Sequence, residues 1–330
     1  MTRASRLALV STLLVACAVG CAKKEDVVVH ASEGQKLAPP AIDADPLALL
    51  PPNAIGAGTL DARALFASRF GARLLEIVRA RAPFPAAAGI EPGRDLERVY
   101  FGVYSMQGAD FAGVALGTFQ PDAIAALDGE LLTTGSFPVT KSEYAGRTVF
   151  MSRGLGFTVL TARTIVFGTE AGLRRALDRL ESGRVERRLP KWMIERIEAP
   201  SAPLVFGADF TAHPVPDAAR RELPFLDGVS TLGLVGNFEE PGLNAAGTLT
   251  YDTPEAAGRG AAQVGDLSAR LGTYAPLLAL VGITQPVRKL EAEAVDDEVR
   301  FVLGIDGAAV ARLLDLVQAY PAAGAPGAAR

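Results

Sequence analysis

The sequence has very little of the residues on which most enzyme and metal chemistry depends. Its 330 residues include two cysteines, Cys17 and Cys21, and two histidines, His30 and His213. Because both cysteines stand within the first 21 residues, the remainder of the chain can form neither a disulfide nor a thiolate metal site. Histidine is the usual proton shuttle near neutral pH. His30 lies in a polar N-terminal stretch and His213 in Ala212-His213-Pro214, a loop by composition. Two histidines so far apart, with no cysteine beside them, make no zinc ligand set. Lysine is scarce, at 6 residues against 27 arginines, and the net charge is −4. A mildly acidic chain lacks the clustered positive charge of a nucleic-acid footprint. Gly-Lys-Ser/Thr phosphate loops and Gly-x-Ser-x-Gly elbows are both missing.

What is present begins with a three-zone leader. Arg3 and Arg6 open it, Leu7 to Gly20 carries no charge, and Lys23, Lys24, Glu25 and Asp26 close it. A basic start followed by a short apolar run is the pattern of a secretory signal. The uncharged stretch Leu7–Ala22 is 16 residues long and rich in Ala, Ser and Thr, whereas a spanning helix needs about 20 apolar residues. It is therefore read as a cleavable leader.

Two tetrapeptides, Leu14-Val15-Ala16-Cys17 and Ala18-Val19-Gly20-Cys21, resemble the lipobox of bacterial lipoproteins. The resemblance covers the leader only. It implies cleavage before one of the two cysteines and acylation of that residue, with the membrane as the partner reached through the lipid. Leu14 favours Cys17, and the direct junction with the polar linker favours Cys21. Neither cysteine is followed by Asp, which in that family implies an outer-membrane destination where the cell has an outer membrane. One acyl chain binds a bilayer only marginally, so lasting attachment implies several. The body resembles uncharacterised envelope lipoproteins, a likeness that assigns no function.

The chain is divided into a signal peptide and lipobox (1–21), a flexible tether (22–46), a first α+β repeat (47–183), a linking segment with a short helix (184–200), a second α+β repeat (201–319) and a disordered tail (320–330). The tether is polar, and Pro39-Pro40 favours extended backbone. In the first repeat, the strand Ala54–Leu60 precedes a single helix over Asp61–Arg81, with Phe66, Phe70, Leu74 and Val78 at four-residue spacing. A hairpin, Arg98–Tyr104 and Phe111–Phe119, leads to a helix starting at Pro121. Strands over Thr148–Ser152, Phe157–Thr161 and Thr164–Gly168 precede a helix from Glu170 that ends at Gly183. The second repeat follows the same order: Pro203–Asp209, a hairpin of Ser230–Phe238 and Leu243–Tyr251, a helix at Pro254, and a pair of strands across Asp296-Asp297. Hairpins with short polar turns and helices set between groups of strands predict an α+β fold.

Candidate chemistry is sparse. The acidic pairs Glu239-Glu240 and Asp296-Asp297 fall in hairpin turns, where carboxylates suit solvent and turn geometry. Gly56-x-Gly58 is followed by Asp61 where a dinucleotide fingerprint wants Gly or Ala, and Gly258-x-Gly260 lies within a helix and suggests close packing. Arg174, Arg175, Arg179, Arg184, Arg187, Arg188 and Lys191 form the most distinctive charge cluster. They read either as an anion-binding face or as a solvated helix neutralised by Asp178, Glu181 and Glu186. Trp192-Met193 reads as seam packing or as an exposed anchor.

The expected function is non-catalytic, with no catalytic residue, cofactor or metal assigned: binding or scaffolding in the cell envelope. The small residues Gly113–Gly117 and Ala245-Ala246-Gly247 suggest a curved sheet whose hollow holds a lipid-like, hydrophobic ligand, or an envelope protein as partner. The rival expectation is an envelope hydrolase using a carboxylate and His213.

Overall fold

The computed structural model describes residues 38–82, 84–105, 110–127, 132–134, 137–199, 202–273 and 287–319. The leader, Cys17, Cys21, His30 and the tail at 320–330 lie outside these residues.

The strands are β1 (Gly56–Asp61), β2 (Leu96–Val103), β3 (Phe111–Gly117), β4 (Thr133–Thr134), β5 (Phe137–Pro138), β6 (Thr140–Tyr144), β7 (Arg147–Ser152), β8 (Leu155–Val159), β9 (Thr164–Thr169), β10 (Leu204–Asp209), β11 (Val229–Asn237), β12 (Gly242–Tyr251), β13 (Val287–Val295) and β14 (Glu298–Asp306). β4 and β5 form a small ribbon. The other strands make one 12-stranded sheet in the order β13-β14-β12-β11-β10-β1-β2-β3-β9-β8-β7-β6. Every neighbouring pair is antiparallel. The helices are α1 (Pro39–Asp43), α2 (Ala62–Ala67), α3 (Gly71–Arg81), α4 (Pro92–Asp95), α5 (Pro121–Ala125), α6 (Glu170–Glu181), α7 (Lys191–Glu198), α8 (Asp217–Glu222), α9 (Pro254–Thr273) and α10 (Gly307–Ala319). The fold is α+β.

The strand order grows outward from the central β1–β10 pair in the same way on both sides. One direction runs β1-β2-β3-β9-β8, the other β10-β11-β12-β14-β13. The two segments expected to form separate halves therefore share one continuous sheet, sealed by the register Gly56↔Ala208 to Leu60↔Leu204.

Because side chains alternate along a strand, adjacent residues serve opposite faces. On β3, Val114 joins a cluster with Val166, Val205, Leu173, Leu177 and Met193, which packs α6 and α7 on one face. Its neighbour Ala115 joins Ile165, Phe150 and Phe157 beneath α2 and α5 on the other. On that second face, Ala208, Leu249 and Val299 pack with Ala257 of α9. The pair α2–α3 ties the two ends of this face together. Phe70 meets Phe238 edge-to-face at 5.9 Å. Arg69 pairs with Glu240 at 2.9 Å and Arg73 with Asp315 at 3.0 Å.

The structure corrects the expected helix over Asp61–Arg81, which is two helices. Asp61 caps the first through the Ala64 N–H at 2.9 Å, and Ser68 ends it by donating to the Leu65 carbonyl at 2.6 Å. Phe70 turns inward, and the Phe66 carbonyl crosses the place where a Cβ of residue 71 would stand, so the second helix starts at Gly71.

Residues 38–46 of the expected tether are not linker. They are packed into the body. Pro39 occupies the first turn of α1 rather than extended chain, and Asp45 caps a 3₁₀ turn over Pro46–Leu49. Ile42, Leu47, Leu49 and Leu50 are each at most 2% exposed and belong to the cluster beneath α6. Burying each such side chain contributes about 1.5–3 kcal/mol, which offsets part of the cost of ordering the segment.

Candidate functional site: an apolar pocket beneath a helical roof

Helix α2 packs on β2, whereas α3 stands off the sheet. Of the apolar residues on α3, Leu74, Leu75, Ile77 and Val78, none is fully buried. Helices packed tightly on a sheet sink their apolar stripe completely. The space left is an apolar cavity of about 350 Å³ between Phe66, Ile77 and Val78 of the roof and Val99, Ala115 and Phe167 of the floor. Phe84 closes one end and is held edge-on to Phe157 at 4.8 Å between ring centres. The walls are almost entirely carbon, so the hollow offers shape and desolvation but no hydrogen-bond donor for catalysis.

A second hollow of about 410 Å³ shares the Val78 and Phe84 walls and differs in character. It is lined by Arg79, Glu91 and Arg94 beside Pro85 and Ile90. Arg79 donates to Glu91 at 2.8 Å. Arg94 grips Asp95 through Nε at 2.6 Å and Nη2 at 2.7 Å, and Asp95 also accepts the Glu91 N–H at 2.7 Å. The Arg94 hydrogen bond holds the Asp95 carboxyl below the usual carboxylate range; burial opposes the shift and the Glu91 N–H reinforces it. The guanidinium of Arg94 is correspondingly raised by its bond to Asp95.

The residues singled out in the sequence fall elsewhere. His213 is exposed in the loop between β10 and α8 and lines neither hollow. It makes no hydrogen bond to a carboxylate among the described residues, so the geometry assembles no carboxylate–histidine dyad there. Glu240 is taken up by Arg69, and Asp296-Asp297 forms the β13–β14 turn, with Asp296 at φ 55°. Among the described residues, no group of three or more His, Cys, Asp or Glu could hold a metal ion.

The glycines serve packing. A Cβ at Gly56 or Gly58 would meet the ring of Phe206 at 2.6 Å or of Phe101 at 2.8 Å, and these two rings stack at 6.1 Å across the β1–β10 centre. Gly260 accommodates the Tyr251 hydroxyl, whereas Gly258 faces open space. Gly113 is filled by the Phe167 ring, Gly117 by the Asp95 carbonyl and Gly247 by the Phe301 ring. Of the small residues expected to shape a hollow, only Ala115 lines the pocket.

Most of the arginine cluster is paired within the protein, and Arg184 is exposed. Arg174 pairs with Glu170 at 2.7 Å and lies over Tyr144. Arg175 pairs with Asp110 at 2.9 Å and lies over Tyr104. Arg179 donates to the carbonyls of Ala48 and Glu186, Arg188 pairs with Glu186, and Lys191 with Glu195 at 3.6 Å. Arg187 joins Asp45 at 2.6 Å and Glu198 at 2.7 Å. Burial works against its charge, but these two carboxylates outweigh it and raise its pKa. Met193 is fully buried and packs with half-buried Trp192 above Gly207 of β10, as seam packing requires.

No protein-family model matches the chain, and a comparison with curated proteins finds no match. Among solved structures, three described as crystal forms of TP0453 are similar to it. Form I is 14% identical and covers 83% of this chain and 96% of its own, at a TM-score of 0.49. Form IV is 14% identical over 85% of this chain and 100% of its own, at 0.46. Form III is 12% identical over 84% and 98%, at 0.45.

Proposed function

We propose that the protein is a non-catalytic lipoprotein of the cell envelope, anchored through Cys17 or Cys21, whose body binds a hydrophobic ligand in the pocket beneath α2–α3. The observation that carries this reading is the combination of apolar walls and a roof helix whose own apolar stripe is incompletely buried. A cavity of about 350 Å³ sits near the lower end of the roughly 300–1,000 Å³ typical of ligand sites, suited to one chain or ring system. The lipobox resemblance supports the anchor, and the docked segment from residue 38 supports a body held close to it. The matching strand order on either side of β1–β10 supports a duplicated origin for the two repeats.

Native mass spectrometry of the mature chain, with both cysteines replaced by serine, tests the binding role. The expected result is a co-purified or titrated hydrophobic molecule at one per chain. A chain that stays empty across fatty acids, lysolipids and apolar dyes sinks the reading.

A further inference from the structure

We infer that the occupant is a single-chain amphiphile with an anionic head, its chain in the apolar pocket and its head between Arg79 and Arg94. This rests on the ligand-binding role proposed above and adds the chemistry of the ligand's polar end. The apolar cavity and the polar hollow lie against the same two side chains, Val78 and Phe84, which places the head of a molecule held in the one within reach of the other. The cavity volume suits one chain better than two. The polar hollow presents two guanidinium groups, each paired on its inner side with a carboxylate, Glu91 or Asp95, so it is their outward N–H groups rather than a net positive charge that suit an anion.

The arginines also keep donors to give. Arg94 uses Nε and Nη2 on Asp95 and the Gly89 carbonyl, and its Nη1 has no partner among the described residues. Asp95, whose side chain is 11% exposed, anchors that guanidinium from the protein side and leaves its outer edge to solvent. Among the described residues, Arg79 engages Glu91 through Nη2 alone. A planar guanidinium with free N–H groups matches the geometry of a carboxylate or phosphate. Arg79 and Arg94 are 54% and 70% exposed, so each can turn toward a ligand without unfolding its helix.

The test displaces the apolar dye N-phenyl-1-naphthylamine from the cysteine-free mature chain with hexadecanoate, palmitoyl lysophosphatidate and hexadecanol. At low salt, at least one of the two anions should bind about tenfold more tightly than the alcohol, and the preference should shrink at high salt as the charges are screened. The stronger anion identifies the head as carboxylate or phosphate. Arg79→Gln and Arg94→Gln should each reduce that preference while hexadecanol affinity stays, which also shows that the pocket remains folded. Equal affinity for acid and alcohol, or an anion preference that survives the double substitution, overturns the inference while leaving the binding role intact. A chain that takes up neither dye nor alcohol overturns the binding role, and this inference with it.

Discussion

Replacing Asp45 with alanine removes three contacts at once. Oδ1 accepts the N–H groups of Leu47 and Ala48 at 3.1 and 3.3 Å, and Oδ2 accepts Arg187 Nε at 2.6 Å. The two side chains are only 10% and 12% exposed, so water cannot replace what is lost. Breaking a buried pair by deleting one partner costs about 3–5 kcal/mol, chiefly because the other charge is left uncompensated. Arg187 keeps Glu198 at 2.7 Å, and that carboxylate is 37% exposed, which places the expected loss near the lower end, at about 3 kcal/mol. The missing cap is worth about 1 kcal/mol and is not independent of the pair. Asp45→Asn keeps an acceptor for the two N–H groups while losing the charge, so its expected cost is about 2 kcal/mol. Urea unfolding gives the magnitudes, and limited proteolysis reports whether residues 38–50 detach before the sheet unfolds. A loss below about 1 kcal/mol for Asp45→Ala, with unchanged cleavage, would refute the reasoning and assign the docking to Ile42, Leu47, Leu49 and Leu50 alone.

Asp95 supplies a pH dependence. Its carboxyl titrates below the ordinary range when folded, so its stabilising contribution is complete above about pH 4 and is lost as pH falls further. Urea midpoints between pH 5 and 2 should show this fall, and Asp95→Asn should flatten it. Gly71→Ala puts a Cβ against the Phe66 carbonyl and should cost about 2–3 kcal/mol in the same assay. His213→Ala, at an exposed loop position, should change stability by less than about 0.5 kcal/mol and leave dye binding unchanged. Membrane partitioning of Cys17→Ala against Cys21→Ala should fail for one variant only, and that variant identifies the acylated residue.

The sheet was largely legible in the sequence because its hairpins alternate cleanly and their turns are polar. The β11–β12 and β13–β14 pairs appear where they were expected. The edge strand β6, Thr-Lys-Ser-Glu-Tyr, was missed because an edge strand with one half-solvated face carries no apolar alternation. The docking of residues 38–46 was also missed, since composition from residue 22 onward reads as polar overall. The local signal was there: Asp45-Pro46 marks a capped turn, and Ile42 just before it is apolar. The helix break at Ser68–Phe70 hides in an uninterrupted four-residue spacing, because Phe70 is apolar for a different partner, Phe238. The pocket was anticipated in kind and misplaced in detail. Glycines 113, 117 and 247 are filled by rings and a carbonyl that only the cross-strand register brings to them. The arginines of the polar hollow could not be singled out, since Arg79 meets Glu91, and so comes beside the Arg94–Asp95 pair, only through the packing of α3 against α4.

The pocket itself is tested most directly by filling it. Ala115 is 1% exposed and forms part of the floor, so Ala115→Phe places a ring in the space assigned to the ligand. The account predicts that dye and amphiphile affinity fall at least about tenfold, with a stability loss of about 1–3 kcal/mol because Ala115 also packs with Phe150 and Phe157. Unchanged affinity in Ala115→Phe, with the variant folded, would contradict it and place any bound ligand elsewhere on the molecule.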